Sequence, residues 1–103
     1  MHDTAFWVPP EKIERFTSCY QPKSGGRGLD LQDGSRESPY RVMPKLESGG
    51  GGLVSTANDY LRFCRMMLNG GELDGVRILS PKTVALISLN YLPGNGEVAS
   101  MAG

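Results

Sequence analysis

The chain is poor in the residues that most often carry chemistry. Among its 103 residues there is one histidine, one tryptophan and two cysteines. A serine-protease-type triad needs an imidazole base. His2 is the only residue that could supply one, and at that position a structural or incidental role is its ordinary reading. Cys19 and Cys64 lie 45 positions apart and match no metal-ligand or redox spacing. One histidine and two distant cysteines cannot assemble a soft-ligand metal site, so the cysteines read as reduced thiols behaving as small hydrophobes. Charge of one sign is missing as well. Eleven basic residues balance 11 acidic ones, for a net charge of zero, so no steering toward nucleic acid or an anionic membrane is expected. No apolar run approaches the roughly 20 residues of a membrane-spanning helix. The opening Met1-His2-Asp3-Thr4 lacks the plan of a signal peptide.

What is abundant is turn chemistry. Glycine (14) and proline (7) make up about a fifth of the chain, while apolar residues reach only 39%, below the usual globular share. Pro10 suits the first position of a short helix over about 10–16, with Ile13 and Phe16 on one face. The β-favouring run Phe16-Thr17-Ser18-Cys19-Tyr20 and the alternating Leu29-Asp30-Leu31 flank Ser24-Gly25-Gly26-Arg27, which predicts a small β-hairpin. Asp33 to Glu47 has few periodic apolar positions and reads as a long ordered loop.

The second half carries stronger signals. Thr56 is a good helix N-cap, and Asp59, three places on, can complete a capping box. Tyr60, Phe63, Cys64 and Met67 then recur at helical spacing, widened by Leu61 and Leu68, and Asn69-Gly70-Gly71 ends a helix of about 56–69. Asp74-Gly75 predicts a tight turn with a short strand beyond it. Ser80-Pro81 opens a second helix of about 81–92, which Pro93-Gly94-Asn95-Gly96 closes. Glu97 to Gly103 carries no element signal. The expected fold class is α+β.

The organising stretch is Ser48-Gly49-Gly50-Gly51-Gly52, which runs through Leu53-Val54 into the first of these helices. A glycine run before a helix invites a phosphate-loop reading, because helix N-termini attract anions. Its specific signals are absent: there is no Gly-Lys-Ser/Thr ending and no βαβ context for Gly-x-Gly-x-x-Gly. The plainer reading is that these glycines allow close backbone packing or leave a surface open. Ser80-Pro81-Lys82-Thr83 lacks the glycine of a Lys-Thr-Gly motif, since Val84 stands there, so it reads as a capped helix start.

Three segments together resemble one family. Met1-His2-Asp3-Thr4-Ala5-Phe6-Trp7-Val8-Pro9 is similar to an LGM-x-D-T-x-F-x-V-P segment of β-lactamase-related serine hydrolases. That group includes class C β-lactamases, family VIII esterases and D-alanyl-D-alanine peptidases. Ser48 to Phe63 resembles their Gly-Gly-Leu-x-Ser-Thr-x-x-Asp segment, and Asn69 to Val84 resembles the NGG-x-L-x-G-x-R-L-L-S-P-x-T-V segment that follows. The resemblance implies an internal segment of such a domain, 1–103, between the second and third catalytic motifs. The family's nucleophile sits in an S-x-x-K motif, and no serine here has lysine three residues later. No tyrosine fits Tyr-x-Asn or Tyr-Ser-x, and the third motif, a Lys/His/Trp-x-Gly strand that lies downstream in the family, has no counterpart after Val84.

No catalytic residue, metal ligand or cofactor is therefore carried over. What the resemblance implies is a substrate-binding role for Ser48, Gly49, Gly50 and Gly51. In class C β-lactamases the corresponding loop borders the acyl side of the pocket, with a tyrosine at about the place of Gly51. The expected partners are the remainder of the parent hydrolase domain and a small ester or amide substrate. The parent would act by acyl transfer to serine, and this segment alone would be inactive. A self-standing, non-catalytic interaction module using Phe6, Trp7 and the 33–47 loop is the alternative. Compartment stays open between cytoplasm and periplasm.

Overall fold

The computed structural model describes residues 1–98. The fold is α+β, as expected, with small antiparallel two-stranded sheets and short helices. The chain divides into two compact units, Met1–Asp59 and the residues from Tyr60 onward.

In the first unit, Pro10–Arg15 forms a helix as expected, but it is a 3-10 helix rather than an α-helix. Pro10 lacks an N–H to donate, and six residues give too few α-type bonds to offset nucleation, so the tighter turn suffices. The hairpin pairs β1 (Cys19–Pro22) with β2 (Leu29–Asp33). Its first strand starts later than the β-favouring run suggested. The register shifts between Cys19 and Tyr20, where a bulge lets Cys19 face Asp33 and Tyr20 face Leu31. Gly26 (φ 76°) and Gly28 (φ 90°) supply the left-handed turn conformations. The 33–47 segment is ordered but not structureless: Pro39–Arg41 forms one 3-10 turn, capped by the Ser38 side chain. An antiparallel bridge between Ala5 and Val54 ties the start of the chain to the end of the glycine run.

Helix α1 spans Ala57–Leu68. Thr56 caps it, Oγ1 accepting from the Asp59 N–H at 3.2 Å. The expected reciprocal half of the capping box does not form, because the Asp59 carboxylate accepts from Asp3 and Thr4 instead. Thr56→Ala is expected to cost about 1 kcal/mol, a typical N-cap loss, which equilibrium denaturation would check.

In the second unit, the end of α1 follows a Schellman pattern. Gly70 N–H donates to Met67 O at 3.1 Å and Gly71 N–H to Met66 O at 2.9 Å, with φ of 69° and 97°. Strands β3 (Glu72–Leu73) and β4 (Val76–Arg77) then pair around Asp74-Gly75, both at positive φ, as a type I′ turn requires. Arg77 ties the region together, donating to Gly70 O and Leu79 O at 2.9 Å each and to Glu72 Oε2 at 2.7 Å.

Helix α2 spans Pro81–Ile87, shorter than the expected 81–92. The Ser80 side chain caps it as expected, accepting from Thr83 N–H at 3.1 Å. It stops early because polar side chains compete for the backbone. Ser88 Oγ donates to Val84 O, and Asn90 Oδ1 accepts from Leu92 N–H in a local Asx turn. Tyr91 lies beyond the helix and donates to Leu86 O at 2.7 Å. The expectation for Glu97 to Gly103 falls mostly on residues outside those described.

The apolar stripe of α1 is present in the sequence but is not buried. Tyr60 (64%), Leu61 and Leu68 are exposed, and Val8 and Met66 are the buried hydrophobic residues among those described.

Candidate functional site: the glycine loop and its supports

The glycine loop is a turn closed by Gly52 N–H donating to Ser48 O at 2.9 Å. Gly49, Gly50 and Gly51 are exposed, and a methyl group placed on any of them would meet nothing within 4 Å. Gly52 differs, since a Cβ there would lie 2.8 Å from Ser48 O. None of the four has a positive φ. Both plain readings of the run are thus realised at different residues: Gly52 permits a close backbone approach, and the other three leave open space. The structure keeps Ser48, Gly49, Gly50 and Gly51 together on one turn.

Behind the loop, two supports lie within the first unit. One starts at Ser38, which is 4% exposed. Its Oγ donates to Asp33 Oδ2 at 2.7 Å and accepts from Tyr40 N–H at 3.2 Å. Tyr40 O accepts from Val8 N–H at 2.7 Å, and the Tyr40 hydroxyl donates to Gly51 O at 3.0 Å.

The other support is the Asp3-Thr4 segment. Asp59 is only 7% exposed, and its Oδ2 accepts from Asp3 N–H and Thr4 Oγ1, both at 2.8 Å. Because an ionised carboxylate can only accept, Thr4 donates here and receives its other bond from Ser55 Oγ at 2.8 Å. Donation by the Thr4 hydroxyl, followed by the Asp3 N–H, holds the Asp59 carboxyl below its ordinary value against the cost of burial.

Asp3 also anchors the 3-10 helix. Its carboxylate receives Arg15 through both guanidinium nitrogens, at 2.8 and 3.0 Å, and Lys12 at 2.8 Å. Those bonds, with Arg15 the larger cause, hold it far below the usual carboxylate range. Both folded-state values are depressed, so both groups stabilise the fold fully above the unfolded value of about 4 and lose that contribution as pH falls through the folded values. Amide protection at residues 3–5 should be flat from about pH 8 to 5 and decline below about pH 4, as hydrogen exchange over a pH series would record.

A cavity of about 340 Å³ opens beside this cluster, lined by Trp7, Phe16, Val54, Thr56, Lys12 and Arg15 among others. Ser48 to Gly51 do not line it. Among the described residues, serine and threonine hydroxyls bond to carboxylates, to backbone groups and to one another, and none to lysine or histidine. No base-activated nucleophile is assembled among them. Sequence reasoning missed Tyr40 and the long-range role of Asp59. Tyr40 carries no local signal, and Asp59 satisfies a local capping pattern that masks its partner 56 positions away.

The glycine turn thus stands open at Gly49 to Gly51, with the Tyr40 hydroxyl holding the Gly51 carbonyl. The model of the Beta-lactamase family matches residues 1–100, and the chain belongs to that family of serine hydrolase-like domains. Two relatives come from Mycobacterium tuberculosis: "Uncharacterized protein MT1414" of strain CDC 1551 / Oshkosh and "Protein Rv1367c" of strain H37Rv. Each is 39% identical over 107 aligned residues, covering 100% of this chain and 25% of the relative. The chain thus spans about a quarter of the length of the curated relatives it matches.

Proposed function

We propose that this chain forms the acyl-side wall of a serine hydrolase domain that cleaves small esters or amides through an acyl-enzyme. The observation that carries the reading is the open space at Gly49, Gly50 and Gly51, on a turn held by the Gly52-to-Ser48 bond and the Tyr40 hydroxyl. A wall without side chains admits a bulky acyl group, whereas an aromatic side chain would close it. The nucleophilic serine and its lysine belong to the remainder of the domain. The exposed apolar stripe of α1 is read as a face that packs against that remainder, since burying each such side chain is worth about 1.5–3 kcal/mol.

The test is a graft. This chain replaces the matching quarter of the H37Rv relative, and the product is assayed with nitrophenyl esters from acetyl to octanoyl. The reading expects the graft to hydrolyse them and the isolated 103-residue chain to stay at the level of a heat-killed control. Turnover by the isolated chain would refute the division of labour. An inactive graft built on an active host would favour the non-catalytic interaction module.

A further inference from the structure

We infer that Tyr40 is a positioning residue for the glycine loop, and through it for acyl-group selection; the second half of this inference rests on the acyl-wall reading above. The loop itself has little to hold it. Its glycines carry no side chains, Gly49 to Gly51 have no neighbour where a Cβ would be, and its internal restraint is the Gly52-to-Ser48 bond. Unbraced glycines have the widest backbone freedom of any residue, so such a turn would sample many positions.

The Tyr40 hydroxyl supplies the missing restraint by donating to Gly51 O at 3.0 Å. That carbonyl belongs to the residue on which the proposed acyl contact centres. Tyr40 can act as a post because its own backbone is pinned on both sides. Its N–H donates to the buried Ser38 hydroxyl, which is in turn fixed by Asp33. Its carbonyl accepts from Val8, one of the buried hydrophobic residues. A rigid aromatic ring then carries the hydroxyl to the loop with only two side-chain torsions to fix. The chain Asp33–Ser38–Tyr40–Gly51 thus transmits the position of the hairpin end and the 3-10 turn to the glycine run. It needs no contact between Tyr40 and substrate.

Tyr40→Phe removes the one oxygen and keeps the ring. The first measurement uses the 103-residue chain with isotopic labelling. The Gly51 carbonyl carbon resonance should move as its hydrogen bond is lost, and the Gly52 amide should exchange roughly three- to tenfold faster. The amides in the middle of α1 should keep their protection, which separates a local release from general destabilisation. The second measurement places Tyr40→Phe in the graft. KM for the octanoyl ester should change by about threefold or more relative to KM for the acetyl ester. Unmoved Gly51 and Gly52 signals would overturn the anchor itself. A released loop with an unchanged octanoyl-to-acetyl ratio would overturn its role in selection. If the unsubstituted graft hydrolyses no ester, the acyl-wall reading and the selection role fall together, while the resonances still decide the anchor.

Discussion

Gly71→Ala should abolish the folded second unit, at a cost on the order of 4 kcal/mol. Two independent effects coincide there. The residue adopts φ of 97°, a conformation that L side chains rarely take, and a Cβ would sit 2.1 Å from Leu79 O and 2.8 Å from the Leu79 carbonyl carbon. Relief by a small shift is blocked because Gly71 O accepts from both Ile78 N–H and Leu79 N–H, at 2.9 and 3.1 Å, while Gly71 N–H closes the Schellman cap. Moving the backbone away from Leu79 would therefore break the helix cap and the β3–β4 turn together. Gly70 is the internal control. It also has positive φ, but nothing lies within 4 Å of a Cβ there, so Gly70→Ala should cost only about 1 kcal/mol and Gly70→Asn less. Thermal unfolding of the three variants, with hydrogen exchange in the last turn of α1, separates the close contact from the dihedral cost.

The second large effect is expected in the first unit. Asp59→Ala should release the start of the chain, speeding amide exchange at Ala5 and Val54 by at least about tenfold. The carboxylate is the common acceptor for Asp3 N–H and Thr4 Oγ1. Its loss leaves the Asp3 N–H unpaired beside a nearly buried position and the Thr4 hydroxyl with Ser55 Oγ alone. It also removes a negative charge from the first turn of α1, where the helix dipole favours one. Asp59→Asn keeps an oxygen acceptor and should fall between wild type and alanine. Because the bridge from Ala5 to Val54 ends just after the glycine loop, this substitution should also loosen Gly52, whereas Thr56→Ala should leave the Asp3 and Thr4 bonds in place.

The local grammar of the sequence is well reflected in the structure. Thr56, Ser80, Pro10 and the Asp74-Gly75 pair each work within a few residues, so their cap and turn chemistry could be read directly from their neighbours. The departures lie where nonlocal or competing partners decide. Asp59 has the spacing of a capping box but bonds to residues 3 and 4, which no local pattern encodes. The α2 helix ends at Ile87 because Ser88 and Asn90 bond back to the chain, although the apolar spacing runs on to Tyr91. The stripe on α1 was legible as a stripe, but periodicity gives an orientation and not the layer that covers it. At the candidate site the glycine run stood out by composition. The Tyr40 hydroxyl that braces it did not, because a tyrosine eleven residues upstream has no signature until the fold brings its hydroxyl to Gly51.

The claim that the glycine loop is an acyl wall is tested most directly by filling it. Gly51 has room for a side chain and no positive φ, so Gly51→Tyr introduces a ring without straining the backbone, and its carbonyl can still accept from Tyr40. The measurement is the ratio of kcat/KM for octanoyl and acetyl nitrophenyl esters in the graft with and without this substitution. The account predicts that the ratio falls by at least about tenfold, the size expected when several methylenes lose their place in an apolar site. A ratio that stays the same in a folded, active graft carrying Gly51→Tyr would contradict it.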